Sequence, residues 1–216
     1  MNSSRRRAPR GAGRCAPAGA RRTFDGFIAG LGTASGTRLV LGHWTSSPFG
    51  PFSDVMLERG DGHRLLLAPG PEPARFVAGT YSFDEVRVEP VHVTVTGRHW
   101  SVRSPSLALR LCTGPRGPLG LLLGAVPRRL AVDPRWIEAV DRPARLLRGV
   151  RTFGSAGGGR SEWYGAQDLR PVRRARAVLE GVDLGPPADV FPPVRFGFGS
   201  TPRRPCVVRV TTTVAG

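Results

Sequence analysis

Residues 162–168 hold the densest group of side chains capable of chemistry in this sequence. They supply two carboxylates, a phenol and an indole: Glu162, Trp163, Tyr164 and Asp168. Glu162 or Asp168 could act as a general base with Tyr164 as the proton donor, or the aromatic rings could stack on a ring-shaped ligand. The alternative is purely structural: a strand with aromatic packing, in which the acids pair with Arg160 and Arg170. The sequence leaves both interpretations open.

Arg195 is a second candidate because it stands in a glycine-rich segment, Val194-Arg195-Phe196-Gly197-Phe198-Gly199. A guanidinium group can bind a carboxylate or phosphate through two hydrogen bonds, and glycines let a ligand approach the backbone closely. Arg195 would then orient an anionic ligand or substrate. The competing interpretation is a surface arginine on a twisted strand, with Val194, Phe196 and Phe198 on its other face.

The histidines and cysteines predict no metal site and no cofactor. The four histidines show neither HxH nor HxxxH spacing, and the three cysteines are far apart without a CxxC pair. His92 shares one strand face with Thr94 and Thr96. That face would be a polar ligand patch if it lined a barrel interior, and would have no function if it faced water.

All 32 positively charged side chains are arginines, and the chain contains no lysine. This absence excludes Schiff-base chemistry, a lysine base and the phosphate-binding lysine of a P-loop. Residues 154–159 are therefore predicted to form a flexible hairpin loop. Residues 30–36 do not fit a dinucleotide-binding loop because a strand pattern follows them, not a helix. The formal net charge of +16 reflects the codon bias of a GC-rich bacterial genome as much as a partner.

Arginine clusters at 128–129, 173–176 and 203–204 favour nonspecific affinity for anions. No helix-turn-helix, zinc finger or RNP-like strand accompanies them, so specific nucleic-acid binding is not predicted. A peripheral role on a membrane or nucleic-acid surface stays open, with the apolar residues 119–126 as its second element. That segment has about half of the ~20 apolar residues that a membrane-spanning helix requires.

The rest of the pattern is mainly β. Residues 54–59 and 63–68 flank a Gly-Asp-Gly turn and are predicted to form a hairpin. Apolar residues alternate with period two in 86–96, with a change of phase at Glu89-Pro90, and in 99–103, 107–112, 194–198 and 208–214. One segment differs, because Asp133-Pro134 is typical of a helix start and apolar residues follow at helical spacing. A shorter helix is predicted over residues 72–81. We predict an antiparallel sheet or partly closed β-barrel with a helical insertion at about residues 117–147.

Residues 1–22 carry seven arginines and no acid. They cannot bury enough apolar surface to fold, so we predict a disordered Arg-rich tail followed by a single β-rich domain over residues 23–216. The tail lacks the apolar stretch of a signal peptide, and we therefore expect a cytoplasmic protein. The oligomeric state is not indicated.

Three runs of residues are similar to segments of known proteins: Gly154-Ser155-Ala156-Gly157, Glu162-Trp163-Tyr164-Gly165 and Phe196-Gly197-Phe198-Gly199-Ser200-Thr201-Pro202. With them the chain resembles one-domain proteins of GC-rich bacteria such as actinomycetes, a resemblance that implies no activity. Gly42-His43-Trp44 is similar to the Gly-x-Trp of the first strand in lipocalin-type barrels. An acetoacetate-decarboxylase-like fold is another β-rich possibility, although that family's lysine chemistry is impossible here.

We therefore expect a β domain that holds a small anionic or amphipathic molecule inside a partly closed sheet. Arg195, His92, Tyr164 and Trp163 would line the site, with Glu162 and Asp168 beside them. The alternatives are an enzyme that uses Glu162 or Asp168 with Tyr164 in acid–base chemistry, and a peripheral protein on an anionic surface. The sequence does not decide among them.

Overall fold

The structure, a computed structural model, describes residues 21–148, 150–197 and 201–216. The strands of these residues are β1 (Arg22–Thr33), β2 (Arg38–Ser46), β3 (Phe52–Glu58), β4 (Arg64–Ala68), β5 (Glu85–Val88), β6 (His92–Thr96), β7 (His99–Arg103), β8 (Leu107–Thr113), β9 (Phe153–Ala156), β10 (Arg160–Leu179), β11 (Val182–Asp183), β12 (Pro187–Ala188) and β13 (Cys206–Ala215). Their helices are α1 (Pro71–Ala78), α2 (Pro118–Ala125), α3 (Arg128–Ala131) and α4 (Pro134–Arg148), with a 3-10 turn at Gly157–Gly159. The predicted tail lies outside the described residues except for Arg21 and Arg22, and β1 begins at Arg22. Phe198, Gly199 and Ser200 also lie outside them.

Ten strands form one curled sheet in the order β5-β4-β3-β2-β1-β13-β10-β8-β7-β6. Neighbouring strands are antiparallel except β4 and β5, which are parallel and are connected through α1. The edge strands β5 and β6 share no hydrogen-bonded ladder among the described residues. However, only residues 89–91 separate them, so one end of each lies within about 14 Å of the other. The prediction of a mainly β, partly closed barrel is confirmed.

Strand β10 joins the two halves of the curled sheet: the first half is β5-β4-β3-β2-β1-β13, and the second half is β8-β7-β6. Its twenty residues pair with β13 as far as Pro171 and with β8 from Val172 onward. The register shifts between Ala166 and Asp168, and again between Val172 and Arg174. Such irregularities bend a strand and increase its twist, and they let one strand pass from one half of the sheet to the other.

Aliphatic side chains from both halves fill the inside of the curl. The first half contributes Ala29, Leu31, Leu39, Leu41, Val55, Leu57, Leu65 and Leu67, and the second half contributes Trp100, Val102, Leu107, Leu109, Leu111, Ala177 and Leu179. Trp100, Val102, Leu107, Leu109 and Leu111 follow the predicted alternation, since successive side chains of a strand point to opposite faces. We expected a ligand inside the curl, but this space is occupied by the hydrophobic core.

A second layer covers the outer face of β1–β4 and β13. Leu66 and Ala68 of β4 pack there in one cluster with Phe76 and Val77 of α1. Farther along, Val40 of β2 lies in a cluster with three residues of a covering segment: Val190, Val194 and Phe196. The helix α1 ends at Ala78, three residues earlier than predicted. The predicted strand 194–198 is wrong for its described residues, because the Arg195 N–H donates to the Glu58 carboxylate (2.6 Å) and not to a neighbouring strand.

The predicted helical insertion is confirmed as α2, α3 and α4, which pack against the first half of β10. Asp133 caps α4 as its sequence suggested, since its Oδ1 accepts hydrogen bonds from the backbone N–H groups of Arg135 (2.8 Å) and Trp136 (3.3 Å). Pro143 does not stop this helix, which continues to Arg148. The exposed Pro143 position loses one backbone hydrogen bond without breaking the turn around it.

Candidate functional site

A small cavity lies between α1 and the outer face of the sheet, and we call it the outer-face cavity. Its volume is about 50 Å³. Five polar side chains line it: Asp54, Thr80, Tyr81, Glu162 and Thr212. Its other walls are mostly apolar and aromatic, including Phe24, Trp44, Phe52 and Phe76, and the rings of Phe24 and Phe76 stack with centroids 5.1 Å apart. The polar groups therefore meet in a mainly apolar environment.

Glu162 reaches this cavity because of its position in β10. It pairs with Val214 of β13 on one side and with Gly154 of β9 on the other. Glu162 and Tyr164 point to the outer face, whereas Trp163 between them points to the opposite face. Tyr81 reaches the cavity from the side of α1. It lies three residues after the end of this helix, and its N–H donates to Val77 O (2.9 Å).

Glu162, Tyr81 and Tyr164 form one hydrogen-bonded cluster. The Tyr81 hydroxyl lies 2.8 Å from Oε1 and 2.9 Å from Oε2 of Glu162, and 2.8 Å from the Tyr164 hydroxyl. Burial raises the pKa of Glu162 to about 7, although hydrogen bonds from both tyrosines lower it. Burial and the neighbouring carboxylate raise the pKa of Tyr81 well above its usual value, so this phenol keeps its proton. The raised pKa thus brings the titration of the carboxyl group near neutral pH, beside a Tyr81 hydroxyl that stays protonated.

Asp54 supplies a second buried carboxyl group to the outer-face cavity. Its Oδ1 accepts a hydrogen bond from Nε1 of Trp44 (3.0 Å), and burial raises its pKa to about 7. Gly42, which is paired with Asp54 across β2 and β3, leaves the space for this contact. A Cβ atom at Gly42 would lie 2.5 Å from Asp54 Oδ1 and 2.7 Å from Trp44 Nε1.

The hydroxyl of Thr212 is buried without a hydrogen-bond partner among the described residues. Thr212 pairs with Tyr164 on one side and with Phe24 on the other. A buried polar group without a partner costs stability unless water or a ligand satisfies it. The outer-face cavity therefore offers a free donor or acceptor beside two carboxyl groups that can each hold or release a proton near pH 7.

Of the six residues that the sequence analysis singled out, Glu162 and Tyr164 lie together. Trp163 faces the helical insertion, where its Nε1 donates to Glu138 Oε1 (2.9 Å) and its ring stacks on Phe153 at 5.3 Å. Asp168 binds Arg116 at 2.9 Å and Arg170 at 3.3 Å. Asp168 therefore forms the ion pair with Arg170 that the structural alternative predicted, whereas Glu162 bonds to Tyr81 and Arg160 bonds to Thr80.

Arg195 and His92 lie apart from the outer-face cavity. The side chain of Arg195 is 70% exposed, and its Nε donates to Oε1 of the fully buried Glu58 at 3.0 Å. Glu58 also pairs with Arg38 at 2.9 Å. His92 is the first residue of the edge strand β6 and is exposed, so its strand face points to water. A ligand-binding role for Arg195 or His92 stays a prediction.

Sequence reasoning missed Tyr81, Asp54 and Thr212. Asp54 offered a signal, because it shares a strand face with Phe52 and Met56, and a carboxylate among apolar residues of a strand points to a buried polar site. Tyr81 gave none, since nothing local indicates that a residue after a helix meets Glu162 across 81 positions. Thr212 looked like an ordinary β-branched strand residue.

A second concavity of about 370 Å³ lies on the outer face of β6, β7, β8 and the end of β10. Its polar lining comprises Thr94, Thr96, His99, Ser101, Arg110, Cys112, Arg174 and Arg176. Arg176 pairs with Asp183 at 2.9 Å, and the three arginines are exposed. This surface is positively charged and open to water, whereas the outer-face cavity is smaller and has no arginine in its lining.

No group of three His, Cys, Asp or Glu side chains in the described part of the chain could hold a metal ion. Within the same residues, no helix combines the length and the hydropathy that crossing a bilayer demands.

No protein-family model matches the chain, and no curated protein sequence does either. The solved structures that are similar to it in three dimensions include two of acetoacetate decarboxylases. One is acetoacetate decarboxylase from Legionella pneumophila, with 9% sequence identity and a TM-score of 0.45 over 92% of this chain and 86% of that chain. The other comes from structural studies of acetoacetate decarboxylase, with 8% identity and a TM-score of 0.39 over 90% and 84%. Similarity at this level transfers no residue role.

Proposed function

We propose that this protein binds a small, uncharged polar molecule in the outer-face cavity and that Glu162 exchanges a proton with it. The observation that carries the proposal is the cluster in which two tyrosine hydroxyls converge on the buried Glu162 carboxyl group, whose pKa is raised to about 7. A general acid or base works best when its pKa lies near the working pH. Perturbed carboxyl groups in a cavity also mark functional sites more often than ordinary core positions.

The size and charge of the cavity restrict the ligand. Its volume of about 50 Å³ is small beside the ~150 Å³ cavity that binds benzene. A tiny molecule, or the head group of a larger one, therefore fits. No arginine is found among the residues that line it, and an anion would be repelled by Asp54 and Glu162 once either is ionised. A neutral carbonyl, amide or amine group suits the cavity better than the anionic ligand that we expected at Arg195.

The hydrogen-bond cluster gives proton transfer a route. When Glu162 is ionised, it accepts hydrogen bonds from the tyrosine hydroxyls, which keep their protons, and can take a proton from the ligand. When Glu162 is protonated, it donates to one phenol oxygen, and a phenol O–H becomes free to bind the ligand. The Thr212 hydroxyl provides a further contact that the protein itself does not use. Acid–base catalysis on a small carbonyl compound is the enzymatic form of this proposal.

Thermal unfolding with a panel of small neutral carbonyls, amides and amines tests the binding. A ligand present at 100 times its Kd stabilises by about 2.7 kcal/mol. We expect at least one compound of the panel to stabilise the wild type, and we expect the same compound to stabilise Glu162→Gln much less. Calorimetry in buffers of different ionisation enthalpy tests the proton exchange, because the observed binding heat should depend on the buffer more strongly for the wild type than for Glu162→Gln. A panel without any stabilising compound would contradict binding, and equal buffer dependence in Glu162→Gln would contradict the role of Glu162.

A further inference from the structure

Helix α2 leaves an apolar surface exposed. Its eight residues contain no charged side chain, and Gly120 is the one among them that is buried. Leu121 and Leu122 are 61% and 65% exposed, and we call this pair the α2 leucine surface. Adjacent, exposed leucines on an uncharged helix are unlike the single apolar residues scattered over most protein surfaces.

Packing on β10 sets the outward direction of these leucines. A Cβ atom at Gly120 would lie 2.2 Å from the carbonyl oxygen of Leu169. Only glycine, which has no Cβ atom, therefore fits at this contact between α2 and β10. Successive residues of a helix are rotated by about 100°, and Leu121 and Leu122 therefore lie away from the Gly120 contact. Rotating α2 to bury them would push a side chain into the β10 backbone.

The chain around α2 is free of acidic residues. Residues 90–132 contain six arginines and neither aspartate nor glutamate. Arg128 and Arg129 begin α3, which is separated from the end of α2 by two residues, and the Arg128 side chain is 67% exposed although it contacts Asp25 at 3.2 Å. The α2 leucine surface is thus followed along the chain by a pair of exposed cations.

We propose that α2 and α3 dock this protein on an anionic phospholipid surface. Leu121 and Leu122 enter the boundary between head groups and acyl chains, and Arg128 and Arg129 contact the lipid phosphates. A two-fold dimer through the same surface is disfavoured, because each copy would present the same positively charged pair of arginines to the interface. An anionic surface complements both the apolar and the charged parts.

Vesicle binding by the full chain tests this proposal, with phosphatidylcholine vesicles that contain or lack phosphatidylserine. We expect the wild type to bind the anionic vesicles and to dissociate as salt is raised. Leu121→Ser and Leu122→Ser should each weaken binding about tenfold. Val182→Ser is the matched control, since Val182 is 64% exposed but lies in β11, and it should bind like the wild type. All variants keep the five arginines of residues 1–20, so their differences report α2.

Three results would overturn the proposal. One is the absence of binding to anionic vesicles at low salt, and another is unchanged binding by the double variant L121S/L122S. The third is a wild type that sediments as an oligomer and a double variant that sediments as a monomer, which would identify a second copy of the chain as the occupant. Glu162→Gln should bind vesicles like the wild type, so this test is independent of the outer-face cavity.

Discussion

The Tyr81 hydroxyl lies within 2.9 Å of both carboxylate oxygens of Glu162, although 81 positions separate the two residues in the chain. A hydroxyl has one proton and can donate it to only one of those oxygens at a time. Tyr164 provides the second hydroxyl of the cluster. The proton of the Glu162 carboxyl group is therefore held in a site of defined geometry, where pH and substitution should have measurable effects.

Replacing Glu162 by glutamine should change how stability depends on pH. The carboxyl group of the unfolded chain loses its proton near pH 4.5, whereas the folded protein keeps it until about pH 7. Glu162 thus contributes stability that is fully present below pH 4.5 and is lost as pH rises through 7, about 3 kcal/mol in all. Urea unfolding of the wild type and Glu162→Gln across this range should show their difference change by about that amount. A constant difference would contradict the raised pKa.

Removing the Tyr81 hydroxyl should raise the pKa of Glu162 further above 7, because the Tyr81 hydrogen bond lowers it. Infrared spectroscopy of the protonated carboxyl band gives the titration midpoint directly. We expect the midpoint of Tyr81→Phe to lie above that of the wild type. Trp163→Phe is the control, since Trp163 points to the other face of β10 and should leave the midpoint unchanged. A lower midpoint in Tyr81→Phe would show that the hydroxyl does not donate to Glu162.

Thr212→Val should stabilise the ligand-free protein by about 1 kcal/mol, because it removes a buried hydroxyl without a partner at nearly constant volume. The same substitution at Thr211 is the control. Thr211 Oγ1 donates to Asp25 Oδ1 at 2.7 Å and accepts from Gln167 Nε2 at 2.7 Å, so Thr211→Val should destabilise. Urea unfolding measures both. If Thr212→Val were as destabilising as Thr211→Val, the Thr212 hydroxyl would have a partner.

Gly42→Ala should destabilise by about 1–3 kcal/mol, because its methyl group would overlap Asp54 and Trp44 in a closely packed site. Gly124→Ala in α2 is the matched control. Open space surrounds Gly124, and alanine favours a helix over glycine by about 1 kcal/mol. Thermal unfolding should therefore move in opposite directions for the two variants. Equal shifts would mean that the strand at Gly42 moves to accept the methyl group.

Glu58 and Arg195 should differ sharply in their importance for stability. Glu58→Ala leaves the buried Arg38 guanidinium without its carboxylate, a loss of about 3–5 kcal/mol. Arg195→Ala removes a largely exposed side chain and keeps the backbone N–H bond to Glu58, so it should cost at most about 1 kcal/mol. Urea unfolding of both variants checks this order. A large loss of unfolding free energy in Arg195→Ala would contradict this order and would show that the exposed guanidinium group stabilises the fold.

The sequence predicted those parts of the fold that depend on local burial patterns. Leu107, Leu109 and Leu111 alternate in the sequence and are buried on one face of β8, because one side of this strand packs on the core. Asp133 marked the start of α4 because a helix cap needs only near neighbours. The strand predicted at residues 194–198 was wrong for its described residues. The backbone N–H of Arg195 bonds to the carboxylate of Glu58, which is distant in the sequence, and local burial patterns do not indicate such a contact.

The candidate site was predicted in part for a similar reason. Glu162 and Tyr164 are two positions apart, so a strand places them on one face, and local reasoning finds the pair. Tyr81 and Asp54 join them through tertiary packing of α1 and β3, which no spacing in the sequence records. The expected position inside the curl was wrong because aliphatic residues such as Leu57 and Leu109 occupy it.

The course of β10 couples the two halves of the molecule. This strand is hydrogen-bonded to β13 along its first part and to β8 along its second part. The two halves of the sheet therefore cannot separate unless one of these two ladders breaks. Glu162 stands at the β13 end of that shared strand. Amide hydrogen exchange in the central part of β10, where both halves of the sheet meet, should therefore require the opening of the whole protein.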